Sequence, residues 1–238
     1  MTPLKLIFAI LILLTGWTTA VFAKPTSLTA FEAKLDRHVS RFDSSGRTLA
    51  ACVVDLAYEY QLPMAIEFVD RDAMRPLHVE FRNRSVRQVL EDIIRQVPRY
   101  RVTFSEGLVD IFTPESRGDP SSPLNAVIRD FAVTEQETRQ ADFQLLCVLS
   151  KQVYDSKFCG GSLAVGQWEP TRITLHLHNA KVYEIVNAIV AQNGRAIWTL
   201  TVRPDELSKP LSGNIWYIYP LEQPFKETVL ERLAKIGR

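Results

Sequence analysis

The chain lacks a surplus of charge of either sign, which removes the simplest argument for a polyanionic partner. It has 28 lysines and arginines against 27 aspartates and glutamates, whereas nucleic-acid-binding domains usually carry a basic excess. Long apolar runs are also scarce, because only residues 6–14 (LIFAILILL) form an extended uninterrupted one. A nearly neutral chain with 46% hydrophobic residues is typical of a globular protein and gives no reason to expect nucleic-acid binding.

The common motifs of catalysis are missing as well. The sequence has no Gly-x-Ser-x-Gly nucleophile turn, no glycine loop that would cradle a phosphate, and no zinc-site spacing among its cysteines. Two carboxylate pairs, Asp70 with Asp72 and Glu91 with Asp92, lie in turn or exposed-helix contexts. We therefore expect a protein that is not an enzyme and holds no cofactor or metal. A hydrolase that uses Cys159 or a carboxylate pair is an alternative.

The N-terminus has the order of a secretory signal peptide. Lys5 precedes the apolar run at 6–14, and small residues, Val21 and Ala23, stand before a cleavage point after residue 23. The apolar run is shorter than the roughly 20 residues of a membrane-spanning helix, although an uncleaved anchor is an alternative. We predict export, with no stable membrane span after cleavage. Loss of Lys5 leaves 27 basic residues against 27 acidic ones.

Export makes a disulfide feasible among the three cysteines. Three is an odd number, so at most one bridge can form within the chain. Cys147 falls in a predicted helix, and Cys159 follows the end of that helix in a glycine-rich turn, where the chain can double back. We predict a disulfide between these two residues and expect Cys52 to be a buried free thiol on an apolar helix face.

The most informative feature is an internal repeat. Residues 77–96 align without a gap to residues 173–192, at an offset of 96, and every apolar position keeps its class. Asn83 meets Asn179 in this alignment, and Gln96 meets Gln192. A match of this length indicates two copies of one structural unit.

Each copy changes its hydrophobic period partway. Leu77, Val79 and Phe81 alternate with polar residues, which predicts a half-buried strand. The apolar residues from position 86 onward then recur at helical spacing. Ser85 and Gln88 form a capping box at the start of that helix. The second copy has a lysine at the position of Ser85, so Asn179 is an alternative cap there.

Weaker matches extend the unit to strand, helix, strand, strand, helix, strand, strand. We predict an α+β fold made of two tandem small domains, each a short mixed sheet with two helices on one face. The predicted segments are a signal peptide at 1–23, a first domain at 24–114, a polar linker at 115–123, a second domain at 124–222 and an amphipathic C-terminal helix at 223–238.

The first copy contains a series of short motifs: Gln61-Leu-Pro, Leu77-x-Val-x-Phe-x-Asn-x-Ser-Val-x-x-Val-Leu-x-x-Ile-Ile, Tyr100-Arg-Val and Val109-x-Ile. This series resembles the short N-terminal domain shared by secretins and TonB-dependent transducers. The resemblance covers residues 39–114 and, more loosely, residues 125–220. It implies a location in the bacterial envelope, periplasmic or secreted, and a role in docking or assembly. In a departure from that family, we expect a free-standing pair of such units, with no outer-membrane barrel, plug or secretin pore segment after the repeats.

Two surfaces are candidates for binding. Residues 71–101 contain eight arginines and four acids, which could receive an anionic partner or could simply form a mixed helix surface. The candidate residues of this arginine surface are Arg82, Arg84, Arg87 and Arg95. Tyr217 and Tyr219 lie on a predicted strand, and an exposed tyrosine on an edge strand would suit binding by strand addition.

His176 and His178 stand two residues apart on one face of a predicted strand. They could be a metal pair, but the first copy has Glu80 and Arg82 at the equivalent positions. The comparison of the copies favours a solvent-facing surface over a metal site.

The sequence therefore predicts a non-catalytic envelope module that binds a partner protein through a sheet edge or sheet face. The resemblance implies a link to a secretin or TonB-type assembly. A subunit that self-assembles into a homo-oligomer is an alternative function. The partner itself cannot be named from the sequence.

The disulfide prediction can be checked by mass spectrometry of the exported protein digested without reduction. We expect a peptide that contains Cys147 linked to a peptide that contains Cys159, and an unlinked peptide that contains Cys52. Alkylation of all three thiols before reduction would contradict the pairing and would leave Cys159 open to the hydrolase alternative.

Overall fold

A computed structural model describes residues 26–68, 71–78, 80–105, 107–154, 170–200 and 216–236. The elements of the first unit are α1 (Thr26–Leu35), β1 (His38–Asp43), α2 (Leu49–Tyr60), β2 (Met64–Ile66), a 3-10 helix (Arg71–Met74), β3 (Glu80–Ser85), α3 (Val86–Arg95), β4 (Arg101–Ser105) and β5 (Leu108–Phe112). The connection contains α4 (Pro114–Gly118) and a 3-10 helix (Pro123–Asn125). The second unit contains β6 (Val127–Glu137), α5 (Thr138–Tyr154), β7 (Arg172–Lys181), α6 (Val182–Asn193), β8 (Ala196–Leu200) and β9 (Trp216–Pro220), and α7 (Gln223–Ile236) follows it.

The two units repeat the same backbone pairing. β1 pairs antiparallel with β3, and β6 pairs antiparallel with β7, so that each unit has a two-stranded ribbon. Phe42 lies opposite Phe81 in the first ribbon, and Phe131 lies opposite Leu177 in the second. On the second strand of each ribbon, Phe81 and Leu177 are related by the repeat offset of 96. On the first strand, Phe42 and Phe131 are related by an offset of 89. The internal repeat is therefore present in three dimensions.

The junction between ribbon and helix is also repeated. The Val86 N–H donates to the carbonyl of Arg37 at 3.0 Å, and the Val182 N–H donates to the carbonyl of Ala126 at the same distance. The predicted capping box of Ser85 and Gln88 is present at the start of α3. At the start of α6 the Lys181 N–H donates to the carboxylate of Glu184 at 2.7 Å. The acidic side chain therefore caps this helix, and the alternative cap by Asn179 is not used.

Two asparagines at equivalent positions have left-handed backbone conformations. Asn83 has a φ of 53° and Asn179 has a φ of 49°. Each stands two residues before the N-cap of its helix, where the strand must turn its direction. After glycine, asparagine is one of the residues that adopt this left-handed region most readily. This preference accounts for its presence in both copies.

The central sheet combines strands from both units. Its order is β4-β5-β2-β8-β9, with β2 parallel to both of its neighbours, β5 and β8. The α+β class is thus confirmed, but the arrangement of strands differs from the prediction of one short sheet per unit. The two-residue period reports only which face of a strand is buried, and it carries no information about which distant strand pairs with β2.

The two faces of the central sheet contact different helices. Met64, Ile66 and Val109 belong to the hydrophobic core that includes α2 and α3. Ala65 and Leu108, from the same two strands, belong to the core of the second unit, with residues of α6. β2 and β5 are therefore covered on both sides, and every residue of β2 is buried.

The C-terminal elements close over the first unit. The Tyr58 hydroxyl donates to the carbonyl of Pro220 at 3.1 Å, and the Gln61 amide donates to the carbonyl of Leu221 at 2.8 Å. On α7, Val229 and Leu233 are buried in the core of the first unit. An amphipathic C-terminal helix agrees with the sequence prediction, whereas α1 was not predicted.

The predicted polar linker at 115–123 is folded rather than extended. Thr113 caps α4 by accepting from the Ser116 N–H at 3.2 Å. The Asn125 amide donates to the carbonyls of Ser116 and Asp119 at 2.8 and 2.6 Å. Short local hydrogen bonds of this kind explain how a polar segment becomes ordered. A division of the chain into two domains at this segment stays a prediction.

The left-handed asparagines can be tested by paired substitutions. We expect Asn179→Ala to lower the free energy of unfolding by about 1 kcal/mol, because a Cβ-bearing residue without a polar side chain is disfavoured there. Asn179→Gly should cost less, since glycine adopts positive φ freely. Urea denaturation measures both values, and the same pair at Asn83 is the matched control. Equal losses for alanine and glycine at both sites would contradict the backbone explanation.

Candidate functional site

The most unusual group of side chains lies on the face of the central sheet that contacts the second unit. Glu67 follows β2 directly and is 1% exposed, and Asp110 lies in the middle of β5 and is 7% exposed. Arg117 comes from α4, in the connection between the units. We call these three residues the central ionic cluster. Charged side chains are rarely buried in this way unless they are paired.

The guanidinium of Arg117 contacts both carboxylates. Its Nη2 lies 2.9 and 3.0 Å from the two carboxylate oxygens of Asp110 and 2.6 Å from Oε1 of Glu67. The Ser116 hydroxyl donates to the other oxygen of Glu67 at 3.1 Å. One arginine thus stands against two acids through Nη2 alone, and among the described residues its buried Nε and Nη1 have no hydrogen-bond partner.

The second unit supplies the neutral partners. The Asn187 amide on α6 donates to Asp110 at 2.9 Å, and its oxygen accepts from the Trp198 indole N–H at 2.7 Å. The ring of Tyr183, also on α6, lies 3.5 Å from the Arg117 guanidinium carbon. A guanidinium over an aromatic face is attracted by the ring quadrupole. The cluster therefore joins the first unit, the connection and the second unit.

Burial controls the protonation of the two acids. Loss of water raises the pKa of Glu67 to about 7 and outweighs the opposing charge of Arg117. The same cause raises the pKa of Asp110, again against Arg117 and the Asn187 hydrogen bond. A raised carboxyl pKa is typical of acid–base catalysts. Here both carboxylates are buried, and each contacts Arg117.

Sequence reasoning missed this cluster. The available signal was an aspartate in the centre of the apolar segment Leu108-Val-Asp-Ile-Phe, since strands are depleted in aspartate. Glu67 stands in a similar position within Ala65-Ile-Glu-Phe. No local pattern indicates that Arg117, in a polar segment, would be their partner.

The four residues of the arginine surface all pair with acids. Arg82 lies 2.9 Å from Glu80, and Arg87 lies 2.6 Å from Glu32. Arg84 and Arg95 share Asp92, at 4.0 and 2.5 Å. Exposed pairs of this kind contribute about 0–1 kcal/mol, so an anionic partner could displace them. The anionic-partner role of this surface stays a prediction.

The two tyrosines do not form an exposed pair. Tyr219 is buried, and Tyr217 is half-buried. The guanidinium carbon of Arg232, on α7, lies 3.8 Å from the centre of the Tyr217 ring. Among the described strands β9 does stand at one end of the central sheet. Its position is therefore at an edge as predicted, but Tyr219 is not available there as a contact for a partner.

β4 stands at the other end of the central sheet. Ser105 and Leu108 are paired across a two-residue hairpin connection, so they exchange hydrogen bonds directly. Because bonding alternates along an antiparallel pair, Thr103 and Arg101 also bond β5, and the backbone groups of Val102 and Phe104 point away from the sheet. Among the described residues no strand pairs with this outer edge of β4.

Other sequence predictions fall partly outside the described residues. Cys159, Asp70 and residues 1–23 lie outside them, so the disulfide and the signal peptide stay predictions. Cys147 is half-buried on α5, and Cys52 is buried with a free thiol. Burial also raises the pKa of Cys52, which disfavours the thiolate form of that side chain. His176 and His178 lie on an exposed strand face.

Comparison of the chain with protein-family models, with curated proteins and with solved structures finds no match. The resemblance to the short domain of secretins and TonB-dependent transducers therefore stays a prediction. Within the part of the chain that the structure describes, no helix is long and apolar enough to cross a membrane.

The raised pKa of Glu67 predicts how stability changes with pH. The folded protein binds a proton at this carboxyl more tightly than the unfolded chain does, so the free energy of unfolding should fall as pH rises from about 4.5 to about 7. Glu67→Gln should remove up to about 3 kcal/mol of this fall. A remaining slope is expected from Asp110, whose pKa is also raised.

Denaturant unfolding at a series of pH values measures this effect. Glu80→Gln, on the exposed face of β3, is the matched control for loss of one carboxylate at a solvated position. If Glu67→Gln and the wild-type protein have the same pH profile, burial does not control the protonation of Glu67.

Proposed function

We propose that this protein is a non-catalytic docking module of the cell envelope, which binds an extended segment of a partner protein by strand addition along β4. The observation that supports this proposal is the outer edge of β4, which no strand pairs with among the described residues. Exposed edges of this kind readily accept another strand. A partner segment would complete the hydrogen bonding of Val102 and Phe104.

The side chains of β4 also suit an extended partner. Val102 and Phe104 are half-buried and alternate with exposed Arg101 and Thr103. The Arg87 guanidinium carbon lies 4.4 Å from the centre of the Phe104 ring, so this arginine covers part of the apolar surface. A bound strand can read such alternating positions through its own alternating side chains, while backbone bonds supply affinity.

The opposite end of the sheet is less suitable. α7 lies beside β9, and Arg232 covers the ring of Tyr217.

The edge of β7 in the second ribbon is also less suitable. The Gln192 amide bonds both the N–H and the carbonyl of Thr174, at 3.0 and 2.7 Å. That side chain satisfies backbone groups on β7 that a partner strand would otherwise use.

The central ionic cluster supports the same proposal, docking along β4. It gives the sheet a rigid base, because Asn187 and Tyr183 hold α6 against the acids and the arginine of the first unit. A preformed edge binds at a lower entropic cost than one that must first be ordered. Placement in the envelope depends on the predicted signal peptide and on the family resemblance.

The proposal can be tested by site-specific photocrosslinking in a bacterial host that exports the protein. A photoreactive amino acid at Thr103 should give a crosslink to a partner protein, whereas the same group at exposed Ser40 on β1 should not. Val102→Pro should lower the yield roughly fivefold, because it removes an outward N–H worth about 1 kcal/mol. It should leave the ladder to β5 intact.

Val102→Thr is the matched control, because it keeps the N–H and has a similar shape. Circular dichroism confirms that each variant is folded. A crosslink that survives Val102→Pro, or no crosslink from position 103, would contradict docking on β4. A crosslinked product made of two copies of this chain would contradict a separate partner protein and would support self-assembly through this edge.

A further inference from the structure

The exposed face of the second ribbon brings together three side chains that can bind a metal. His176 and His178 lie on β7 with their ring centroids 4.3 Å apart. Asp130, on β6, is the direct neighbour of His178 across the ribbon. The sequence showed the two histidines but gave no sign that an acid from another strand would join them.

The distances suit a shared ion. One oxygen of Asp130 lies 3.4 Å from Nε2 of His176 and 3.1 Å from Nδ1 of His178. A tetrahedral zinc ion with bonds of about 2.0–2.1 Å has its ligand atoms about 3.3 Å apart. The three ligand atoms all lie within 4.8 Å of one another, so a small rotation of the exposed rings would complete the triangle.

The corresponding positions of the first ribbon carry different chemistry. Through the two repeat offsets, Arg41 corresponds to Asp130, and Glu80 and Arg82 correspond to the two histidines. Glu80 lies 2.8 Å from Arg41 and 2.9 Å from Arg82. Two arginines exclude a cation from that surface, whereas the three corresponding positions of the second ribbon all carry side chains that can bind one.

We propose that Asp130, His176 and His178 bind a divalent transition-metal ion of the zinc class. Two imidazole nitrogens and one carboxylate form a ligand set that such ions prefer over magnesium or calcium. The side chains are about 60% exposed (62%, 62% and 60%), so an ion reaches them without any movement of the backbone. Three protein ligands leave a fourth position open to water or to a donor from another molecule.

Isothermal titration of the purified protein with zinc chloride tests the site. We expect one ion per chain, and a loss of affinity of at least tenfold in His178→Ala and in Asp130→Asn. Loss of an outer-shell partner alone costs roughly 10–100-fold, so loss of a ligand should cost no less. Cobalt should give a spectrum of nitrogen and oxygen ligands without thiolate charge-transfer bands.

Two matched variants separate this site from general surface binding. The double variant His38→Ala, His78→Ala removes the other two histidines and should bind zinc as the wild-type protein does. Glu80→Ala changes the equivalent position of the first ribbon and should also have no effect. Unchanged affinity in both His178→Ala and His176→Ala, or cobalt bands of a thiolate ligand, would overturn the proposal.

Discussion

The contact of Arg117 with Glu67 and Asp110 is the interaction on which the joining of the two units depends. A buried ion pair adds little net stability, because removal of its charges from water costs about as much as their attraction returns. Its geometry is nevertheless demanding, since an unpaired buried charge is strongly destabilising. The packing of α6 on β2 and β5 is therefore held in one register by polar contacts, within a surface that is otherwise apolar.

The parts of the fold that depend on neighbouring residues could be predicted from the sequence. The ribbons and the helices that follow them have local periods, and Ser85 and Gln88 cap α3 as their spacing indicates. The pairing of β2 with β8 could not be predicted, because it joins Met64 to Ile197 without any local pattern. The candidate site was missed for the same reason, since Asp110 and Arg117 become partners only through the turn that α4 makes.

The two copies have kept their backbone while their surfaces have diverged. Asn83 and Asn179 hold the same unusual conformation, and the apolar residues of the two ribbons face equivalent cores. On the exposed side, an arrangement of arginines and glutamate in one ribbon is replaced by histidines and aspartate in the other. Buried positions are constrained by packing, whereas exposed positions are free to acquire different chemistry.

The place of β2 in the sheet also determines the order in which the chain can fold. β2 lies near residue 65, but one of its two neighbours, β8, begins at Ala196. A chain that emerges from its N-terminus therefore completes the first ribbon early and keeps one side of β2 unpaired until the second unit has followed. Long-range pairing of this kind is slow to form, and an uncovered strand edge invites wrong partners. During that interval the nascent protein has a second open edge, on β2, and β8 must pair with this edge before a strand of another molecule does.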